Sequence, residues 1–250
     1  MHSTNYIVGF TLAMTTVVAL TLSGLFFATK PLADKNEAVF NKRAILSAIK
    51  SQMMPDHNLD EMEDDAVLAF FDKFIEQTTL NMNGTPVDSI KAEKIEMSKE
   101  SKKPEEDRLL PLYVYNSSKG EKFYIVSVYG KGLWDAIWGN IALASDYNTV
   151  AGASFDHKGE TPGLGAEIKD NSMFPLSFKG KQIYTAEGDY TSVEVVKGGI
   201  KKGKEKFQVD GISGATITCD GVEEMLNRGI KYYEPYFAEA REASTKEIKK

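Results

Sequence analysis

An uncharged apolar run near the N-terminus limits the fold of this chain more than any other feature of its sequence. No charged residue occurs between Tyr6 and Ala28. A helix over these residues rises by about 1.5 Å per residue and reaches about 34 Å, which is enough to cross the hydrocarbon core of a bilayer. The sequence therefore predicts one transmembrane helix, in contact with membrane lipid over residues 6–28.

A cleaved signal peptide is the alternative interpretation of this run. No Lys or Arg precedes Tyr6, the run is longer than the apolar region of most signal peptides, and no clear A-x-A cleavage site follows it. These features favour an anchor that is retained in the mature protein.

The charges that flank the run leave the orientation of the helix open. The only residue with a basic side chain before the helix is His2, whereas four basic residues follow it closely: Lys30, Lys35, Lys42 and Arg43. The positive-inside rule, taken alone, predicts that the rest of the chain lies in the cytoplasm. Long domains translocate largely regardless of such charges, however, so the rule is weak for the large segment that follows.

Composition excludes several classes of protein. The chain has 250 residues, of which 42% are hydrophobic and 26% charged, which is typical of one main globular domain with appendages. Its formal net charge of -6 shows no basic surplus, so we expect no nucleic-acid partner. With Cys219 as its single cysteine, the chain has no internal disulfide and no CxxC pair. Any electron transfer then requires a bound cofactor.

Residues 35–108 are predicted to form a helical membrane-proximal segment after an anchor at residues 1–34. Apolar residues recur at loose helical spacing from Ala38 to Met54, and at closer three- and four-residue steps from Asp60 to Thr78. The stretch from Lys91 to Arg108 is highly charged and is typical of a solvated helix or linker. We therefore place a domain boundary after residue 108.

Residues 109–250 are predicted to form the main domain, which is rich in short β-strands. A helix is expected from about Asp220, with Glu223 completing a capping box. The predicted fold is α+β: a twisted, largely antiparallel sheet with packed helices, preceded by one N-terminal transmembrane helix. The strands are indicated by short runs rich in Val, Ile, Tyr and Phe between turn residues: Tyr113 to Tyr115, Phe123 to Tyr129, Ile141 to Ala144, Thr149 to Phe155 and Ser192 to Val196.

The segment from Asp210 to Thr218 reads Asp-Gly-Ile-Ser-Gly-Ala-Thr-Ile-Thr and precedes the predicted C-terminal helix. Its small residues let a ligand approach the backbone, and Gly214 can adopt dihedral angles closed to other residues. Backbone N–H groups at the start of a helix favour an anion, so a phosphate near Thr216 or Thr218 would be stabilised. Ordinary capping of a helix by this turn is the alternative.

Three ordered motifs resemble those of the FMN-binding domain family. Asp210-x-x-Ser213-Gly214-Ala215-Thr216 is similar to its flavinylation motif, in which the final Thr is esterified by the phosphate of FMN. Gly159-Glu-Thr-Pro-Gly-Leu-Gly165 and Gly130-Lys-Gly-Leu-Trp134 match the same family. Within it, the chain most resembles the C-type subunits of sodium-translocating NADH:quinone reductases, with the G-type subunit of the related ferredoxin-oxidising membrane complex as the nearest alternative. The resemblance covers about Val128 to Phe237.

This resemblance implies a function for the domain at residues 109–250. It implies FMN held covalently through a phosphoester to Thr216, attached by a flavin transferase, and electron transfer to other subunits of an NADH:quinone reductase complex that exports sodium. It also implies a bacterial inner membrane protein whose large domain lies on the extracytoplasmic (periplasmic) side. The residues expected to bind the cofactor are Thr216, Asp210, Ser213, Gly214, Ala215, Glu160, Thr161, Gly163, Leu164, Gly165, Leu133 and Trp134.

Purely structural interpretations, without cofactor binding, exist for several of these residues. On physical grounds alone, Pro162-Gly163-Leu164-Gly165 is a tight turn, and Trp134 is more typical of a core than of a cofactor platform. His157 is expected to be an ordinary loop residue, and no metal site is predicted. The lysines from Lys201 to Lys206 are expected to form a solvated hairpin tip.

Two other classes of protein remain as rivals. In a membrane-tethered binding or assembly module, the Ser-Gly-Ala-Thr turn would only cap a helix. A stand-alone flavin reductase would need a nucleotide-binding glycine loop such as GxGxxG after a strand, and none is present.

Overall fold

The computed structural model of the chain describes residues 3–53 and 57–248, without the side chains of residues 242–248. Met54, the predicted end of a membrane-proximal helix, lies outside the described residues. The chain divides into two compact units, Met1–Asn41 and Lys42–Lys250. The predicted division at residues 34 and 108 stays a prediction.

Helix α1 spans Thr4–Ser47 and contains the uncharged run. It is long and apolar enough to cross a membrane, and the side chains of its apolar stretch are exposed. Pro31 lies inside it and removes one backbone donor without ending the helix. The last turn of α1 belongs to the second unit, in which the short helix α2, Lys50–Met53, follows.

The helix predicted from Asp60 to Thr78 is correct only in part. Helix α3 spans Asp64–Phe74, and the chain then turns into strand β1, Ile75–Asn81. The apolar spacing that indicated a helix ends at Phe74, and the residues after it include the β-branched pair Thr78 and Thr79, which suits a strand. Pairing with a distant strand therefore sets the conformation of this part of the chain.

The charged segment before residue 108 is attached to the domain, which corrects the prediction of a solvated helix or linker. It contains the short helix α4, Met97–Glu100, between two 3-10 turns. Glu100 is buried, and its Oε2 accepts a hydrogen bond of 3.0 Å from the Leu109 N–H. Lys103 forms an ion pair of 2.9 Å with the same Glu100 carboxylate. A buried, paired carboxylate holds this segment to the first residue of the next strand.

The main sheet has five antiparallel strands in the order β1-β2-β3-β4-β5. Four of the predicted strands lie inside or within a residue of these elements, and the α+β fold class is confirmed. The strands after β1 are β2, Leu109–Asn116; β3, Lys122–Lys131; β4, Ala136–Leu143; and β5, Val150–His157.

Short elements connect this sheet to the C-terminal helices. They are α5, Glu167–Asp170; α6, Met173–Leu176; β6, Glu194–Val196; β7, Gln208–Asp210; α7, Thr216–Lys231; and α8, Glu234–Ile248. Strands β6 and β7 form a separate parallel pair. The lysine-rich connection between them is therefore no hairpin, contrary to the prediction, although its lysines are exposed.

Two apolar cores cover the two faces of the main sheet. One joins the sheet to α7 and the start of α8, with Val128, Met225 and Tyr233 among its buried residues. The other joins it to the end of α1 and to α3, with Leu46 and Phe71 buried. Burying both faces gives the sheet apolar residues on both sides, which is why its strands read as nearly continuous apolar runs.

Helix α7 packs unusually close to strand β3 because glycines face the contact. A Cβ on Gly130 would lie 2.7 Å from Met225 Cβ, and one on Gly229 would lie 2.7 Å from Val128 Cγ1. The predicted start of this helix at Asp220 was wrong by one turn. Glu223 does not cap it; its Oε2 accepts the Val195 N–H at 2.8 Å. The close packing fixes the position of the helix start, where the motif from Asp210 to Thr216 ends.

Candidate functional site

Thr216 is the first residue of α7 and is half-buried. Among the residues that the structure describes, no hydrogen-bond partner is found for its hydroxyl, and none for the backbone N–H groups of Thr216, Ile217 and Thr218. The residue before the helix is Ala215, which has no side-chain acceptor, and the first turn contains no acidic residue. Among the described residues, the helix therefore begins with free backbone donors and has no acidic residue in its own first turn, an arrangement that favours an anion.

The turn before Thr216 is held by bonds at both ends. Gly211 donates its N–H to Val196 O at 2.8 Å, and Ile212 donates to Cys219 Sγ at 3.2 Å. Cys219 is buried, and burial raises the pKa of its thiol, so it acts here as a structural acceptor. Gly214 adopts φ +79°, which L side chains rarely adopt.

The loop at residues 159–165 lies directly against this turn. A Cβ on Gly214 would lie 2.8 Å from Leu164 Cδ2. Within the loop, Leu164 donates its N–H to Thr161 O at 3.1 Å, with Pro162 and Gly163 between them and Gly163 at φ +74°. This is the tight turn that the sequence predicts on physical grounds.

Glu160 joins the other two sequence motifs to the first turn of α7, directly after the third motif, through one carboxylate. Its Oε2 accepts the Thr218 hydroxyl at 2.6 Å, and its Oε1 accepts the Trp134 N–H at 2.9 Å. Only 5% of Glu160 is exposed. Glycines flank the carboxylate on both sides, since a Cβ on Gly132 would lie 2.6 Å from Oε1 and one on Gly165 would clash with Oε2. The three motifs therefore form one structure, centred on a buried acid.

Hydrogen bonds keep Glu160 ionised. Burial acts to raise its pKa, but hydrogen bonds from the Thr218 hydroxyl and from the N–H groups of Trp134, Asp135 and Leu133 outweigh it, and the pKa of Glu160 lies below its usual value. His157 helps to hold Glu160 in place, because its Nδ1 accepts the Glu160 N–H at 3.2 Å. His157 is thus part of the support of the site rather than an ordinary loop residue.

Four large apolar side chains are exposed in these motifs and in the first turn of α7. Leu133 is 44% exposed, Trp134 67%, Leu164 42% and Ile217 57%. The Trp134 Nε1 donates to Thr161 Oγ1 at 3.1 Å, which orients the indole at the surface rather than in the core. Exposed apolar side chains close to free backbone donors suit a ligand that combines a flat apolar ring with a phosphate.

The structure brings most of the predicted site residues together, but not all. Asp210 and Ser213 are exposed, and among the described residues neither forms a hydrogen bond with the Glu160 carboxylate. Gly163 lies at the tip of its turn with open space around it. The other predicted site residues lie in or beside the three loops that meet around Glu160: Thr216, Gly214, Ala215, Glu160, Thr161, Leu164, Gly165, Leu133 and Trp134.

Sequence reasoning missed the role of Thr218, which it considered as a residue near a bound phosphate. Thr218 is buried and points to Glu160, whereas Thr216, two residues earlier, is partly exposed. Residues two apart in a helix point to opposite sides, so only one of the two threonines can face solvent. The opposite directions of the two threonine side chains could be predicted only once the start of the helix was known.

Comparisons with known proteins agree with this geometry. The family model of the FMN-binding domain matches residues 132–231. The chain is 40% identical over 123 residues to the C-type subunit of the Na(+)-translocating NADH-quinone reductase of Pseudomonas aeruginosa, covering 48% of this chain and 46% of that protein. It is 39% identical over 120 residues to the corresponding protein of Vibrio alginolyticus, covering 47% of this chain and 46% of that protein. These matches span about half the length of the curated relatives.

Solved structures extend the similarity over most of the chain. The crystal structure of the C-type subunit of the Na(+)-translocating NADH-quinone reductase of Parabacteroides distasonis has a TM-score of 0.71 at 35% identity, covering 83% of this chain and 96% of that one. The structure of NqrC of Shewanella oneidensis has a TM-score of 0.66 at 26% identity, covering 80% and 98%.

Proposed function

We propose that this chain, which belongs to the family of C-type subunits of the Na(+)-translocating NADH-quinone reductases, carries FMN in phosphoester linkage to Thr216 and passes electrons to neighbouring subunits. The observation that carries the proposal is the half-buried hydroxyl of Thr216, which has no partner among the described residues and lies at an uncapped helix start. FMN fits the site, because its phosphate suits the free N–H groups and its ring suits the exposed apolar side chains nearby.

Attachment requires a nucleophile on this chain and a leaving group on the donor. The Thr216 Oγ1 attacks the phosphorus of the FMN half of FAD, the bond to AMP breaks, and the hydroxyl proton passes to a base of a flavin transferase with its metal ion. The resulting diester keeps one negative charge. The backbone donors of Thr216, Ile217 and Thr218 and the dipole of α7 stabilise that charge.

Other residues hold and orient the group. When bound, FMN supplies reversible uptake and release of electrons at its ring. Glu160 fixes the loops that carry Trp134 and Leu164, so these apolar side chains are held in place beside the attachment turn. Gly214 lets the Leu164 side chain pack against the attachment turn because it has no side chain of its own.

The proposal also covers the assembly and the location of the whole protein. We infer that α1 anchors the chain once in a bacterial inner membrane, with the large domain on the periplasmic side, where the transferase attaches FMN. Other subunits of an NADH:quinone reductase exchange electrons with the flavin, and the complex couples this transfer to sodium export. The chain alone is not expected to turn over, since electrons must come from and go to its neighbours.

The direct test is the site of attachment. Thr216→Val keeps the shape of the side chain and removes only the nucleophile. In cells that supply the transferase, it should abolish the flavin fluorescence that stays with the protein after denaturing electrophoresis. The unfolding free energy should change by about 0.5 kcal/mol or less, because one partly exposed hydroxyl is lost.

Thr218→Val is the matched control, since it also removes one threonine hydroxyl from the same helical turn. It should keep covalent flavin but lose stability, because Glu160 loses a buried donor. Peptide mass spectrometry of the wild-type protein should place the FMN-phosphoryl mass on Thr216. Flavin on Ser213 or Thr218, or flavin retained by Thr216→Val, would refute the assignment.

A further inference from the structure

Two loops of the large unit carry an unusual concentration of positive charge. The loops are residues 179–182 and 197–206, and hydrogen bonds of 2.7 Å from Gln182 N to Lys206 O and from Lys181 Nζ to Glu205 O join them. Six of their seven lysines are exposed and Lys181 is half-buried. We call this surface the lysine face, defined by Lys179, Lys181, Lys197, Lys201, Lys202, Lys204 and Lys206.

The charge of the lysine face is opposite to that of the rest of the chain. Seven lysines against the single acid of the two loops, Glu205, give a formal charge of +6. The whole chain has -6, so the remainder carries -12. Within the described residues, none of the seven lysines forms an ion pair with an acid within 4.0 Å. A cluster of unpaired like charges destabilises the free protein by self-repulsion and attracts an acidic partner.

One end of the lysine face adjoins the proposed flavin site. Val196 accepts the Gly211 N–H at 2.8 Å, and Lys197 follows Val196 directly. Gly211 belongs to the turn that ends at Thr216. Because β6 and β7 are parallel, the lysine loop leaves β6 at the same end at which β7 enters this turn, and it then returns to the start of β7. Lys201 donates its N–H to Gln208 Oε1 at 3.0 Å, so the lysines from Lys201 to Lys206 lie toward the other end of the strand pair. A partner that covers the whole lysine face therefore reaches the proposed flavin site at its Lys197 end.

We propose that the lysine face docks an acidic surface of the protein that exchanges electrons with the flavin, which rests on the function proposed above. Complementary charge accelerates encounter and fixes orientation, as transient electron transfer requires. An anionic membrane surface is the competing partner. Stable interfacial binding normally combines basic residues with apolar side chains that insert, and among the described residues no large exposed hydrophobic lies in these two loops. The observations therefore favour the protein partner.

The test uses the full-length chain in detergent and the remaining subunits purified from a strain that lacks it. The variant K201E/K202E/K204E reverses three exposed lysines. The control K91E/K94E/K102E reverses three exposed lysines in the segment before β2, which gives both variants the same net charge. At about 50 mM salt the lysine-face variant should associate about tenfold more slowly than the control, and about 500 mM salt should remove the difference.

Three readouts separate the possible outcomes. Equal association rates in the two variants would overturn the proposal. Binding of the wild-type chain to vesicles of phosphatidylglycerol and phosphatidylethanolamine, lost in the lysine-face variant while association with the other subunits is unchanged, would assign the surface to the membrane and also overturn it. Covalent flavin is measured on the same samples, so a chain without flavin that still shows charge-dependent association would refute the proposed function and leave the docking surface standing.

Discussion

Thr216 and Thr218 lie in the same helical turn, and their surroundings give them different roles. Thr216 presents a hydroxyl without a partner among the described residues, whereas the Thr218 hydroxyl donates to the buried Glu160 carboxylate at 2.6 Å. A buried carboxylate is costly unless it is hydrogen-bonded, and Glu160 receives donors from the turn before β4 as well. At the scale of single residues, the candidate site therefore combines one threonine hydroxyl that has no partner among the described residues with a neighbouring threonine bonded to an ionised acid.

Glu160→Gln should change the pH dependence of stability, because it removes the ionised carboxylate. Because the folded pKa of Glu160 is lowered, its ionisation stabilises the folded chain above the unfolded value of about 4.3, and this contribution is lost as pH falls through the folded pKa. Urea unfolding in detergent should show that Glu160→Gln is less stable than wild type by about 1–3 kcal/mol at pH 7. Below pH of about 4.3, the free energy of unfolding should fall less steeply in the variant.

Glu121→Gln, at an exposed glutamate of the β2–β3 turn, controls for the loss of one carboxylate from the chain. If Glu160→Gln and wild type lose stability with the same slope toward acid pH, the ionised state assigned to Glu160 is wrong.

At the scale of structural elements, two glycine turns lie next to each other before Thr216 and in the loop at residues 159–165. Gly214 and Gly163 share a positive φ, +79° and +74°, but only Gly214 faces another side chain, that of Leu164. Alanine at either position should lower the free energy of unfolding by about 1–2 kcal/mol through backbone strain. Only Gly214→Ala should also lower the yield of covalent flavin, measured by fluorescence after denaturing electrophoresis, because its Cβ displaces Leu164. An equal loss of flavin in Gly163→Ala would mean that strain, rather than access to Thr216, limits attachment.

The elements that the sequence predicted well are those whose signal is local. The apolar spacing up to Phe74 and the β-rich runs of β2 to β5 correspond to observed elements. Strand β1 was missed because it depends on pairing with β2, and the start of α7 was placed late because Ala215 gives no capping signal. The absence of a cap is itself a property of the site. The role of Glu160 was also beyond the sequence, since it depends on three loops that are distant along the chain.

At the scale of the whole molecule, α1 is expected to remain in the mature protein. It continues without interruption from Thr4 to Ser47, and its last turns enter the core of the large unit through Ile45 and Leu46. The intact mass of the membrane-extracted chain should therefore include residues 6–28. A mature N-terminus near Leu32 or Ala33 would show that the run is a signal peptide.

The large unit is expected to lie outside the cytoplasm, against the direction of the flanking charges. Four basic residues follow the apolar run, but a long domain translocates largely regardless of them. The resemblance to FMN-binding subunits implies attachment of the flavin on the outer side. Alkaline phosphatase fused after Lys250 should be active and a green fluorescent protein fused at the same point dark, because the first folds only outside and the second only inside.

The paired fusions control for each other, and thiol labelling is no substitute because Cys219 is only 3% exposed and would stay unlabelled on either side. Covalent flavin gives an independent reading in the same cells. A fluorescent C-terminal fusion on a chain that carries flavin would place both the domain and its transferase in the cytoplasm, and would restore the orientation that Lys30, Lys35, Lys42 and Arg43 indicate. An active phosphatase fusion on a chain with flavin is the result that the proposed electron carrier requires.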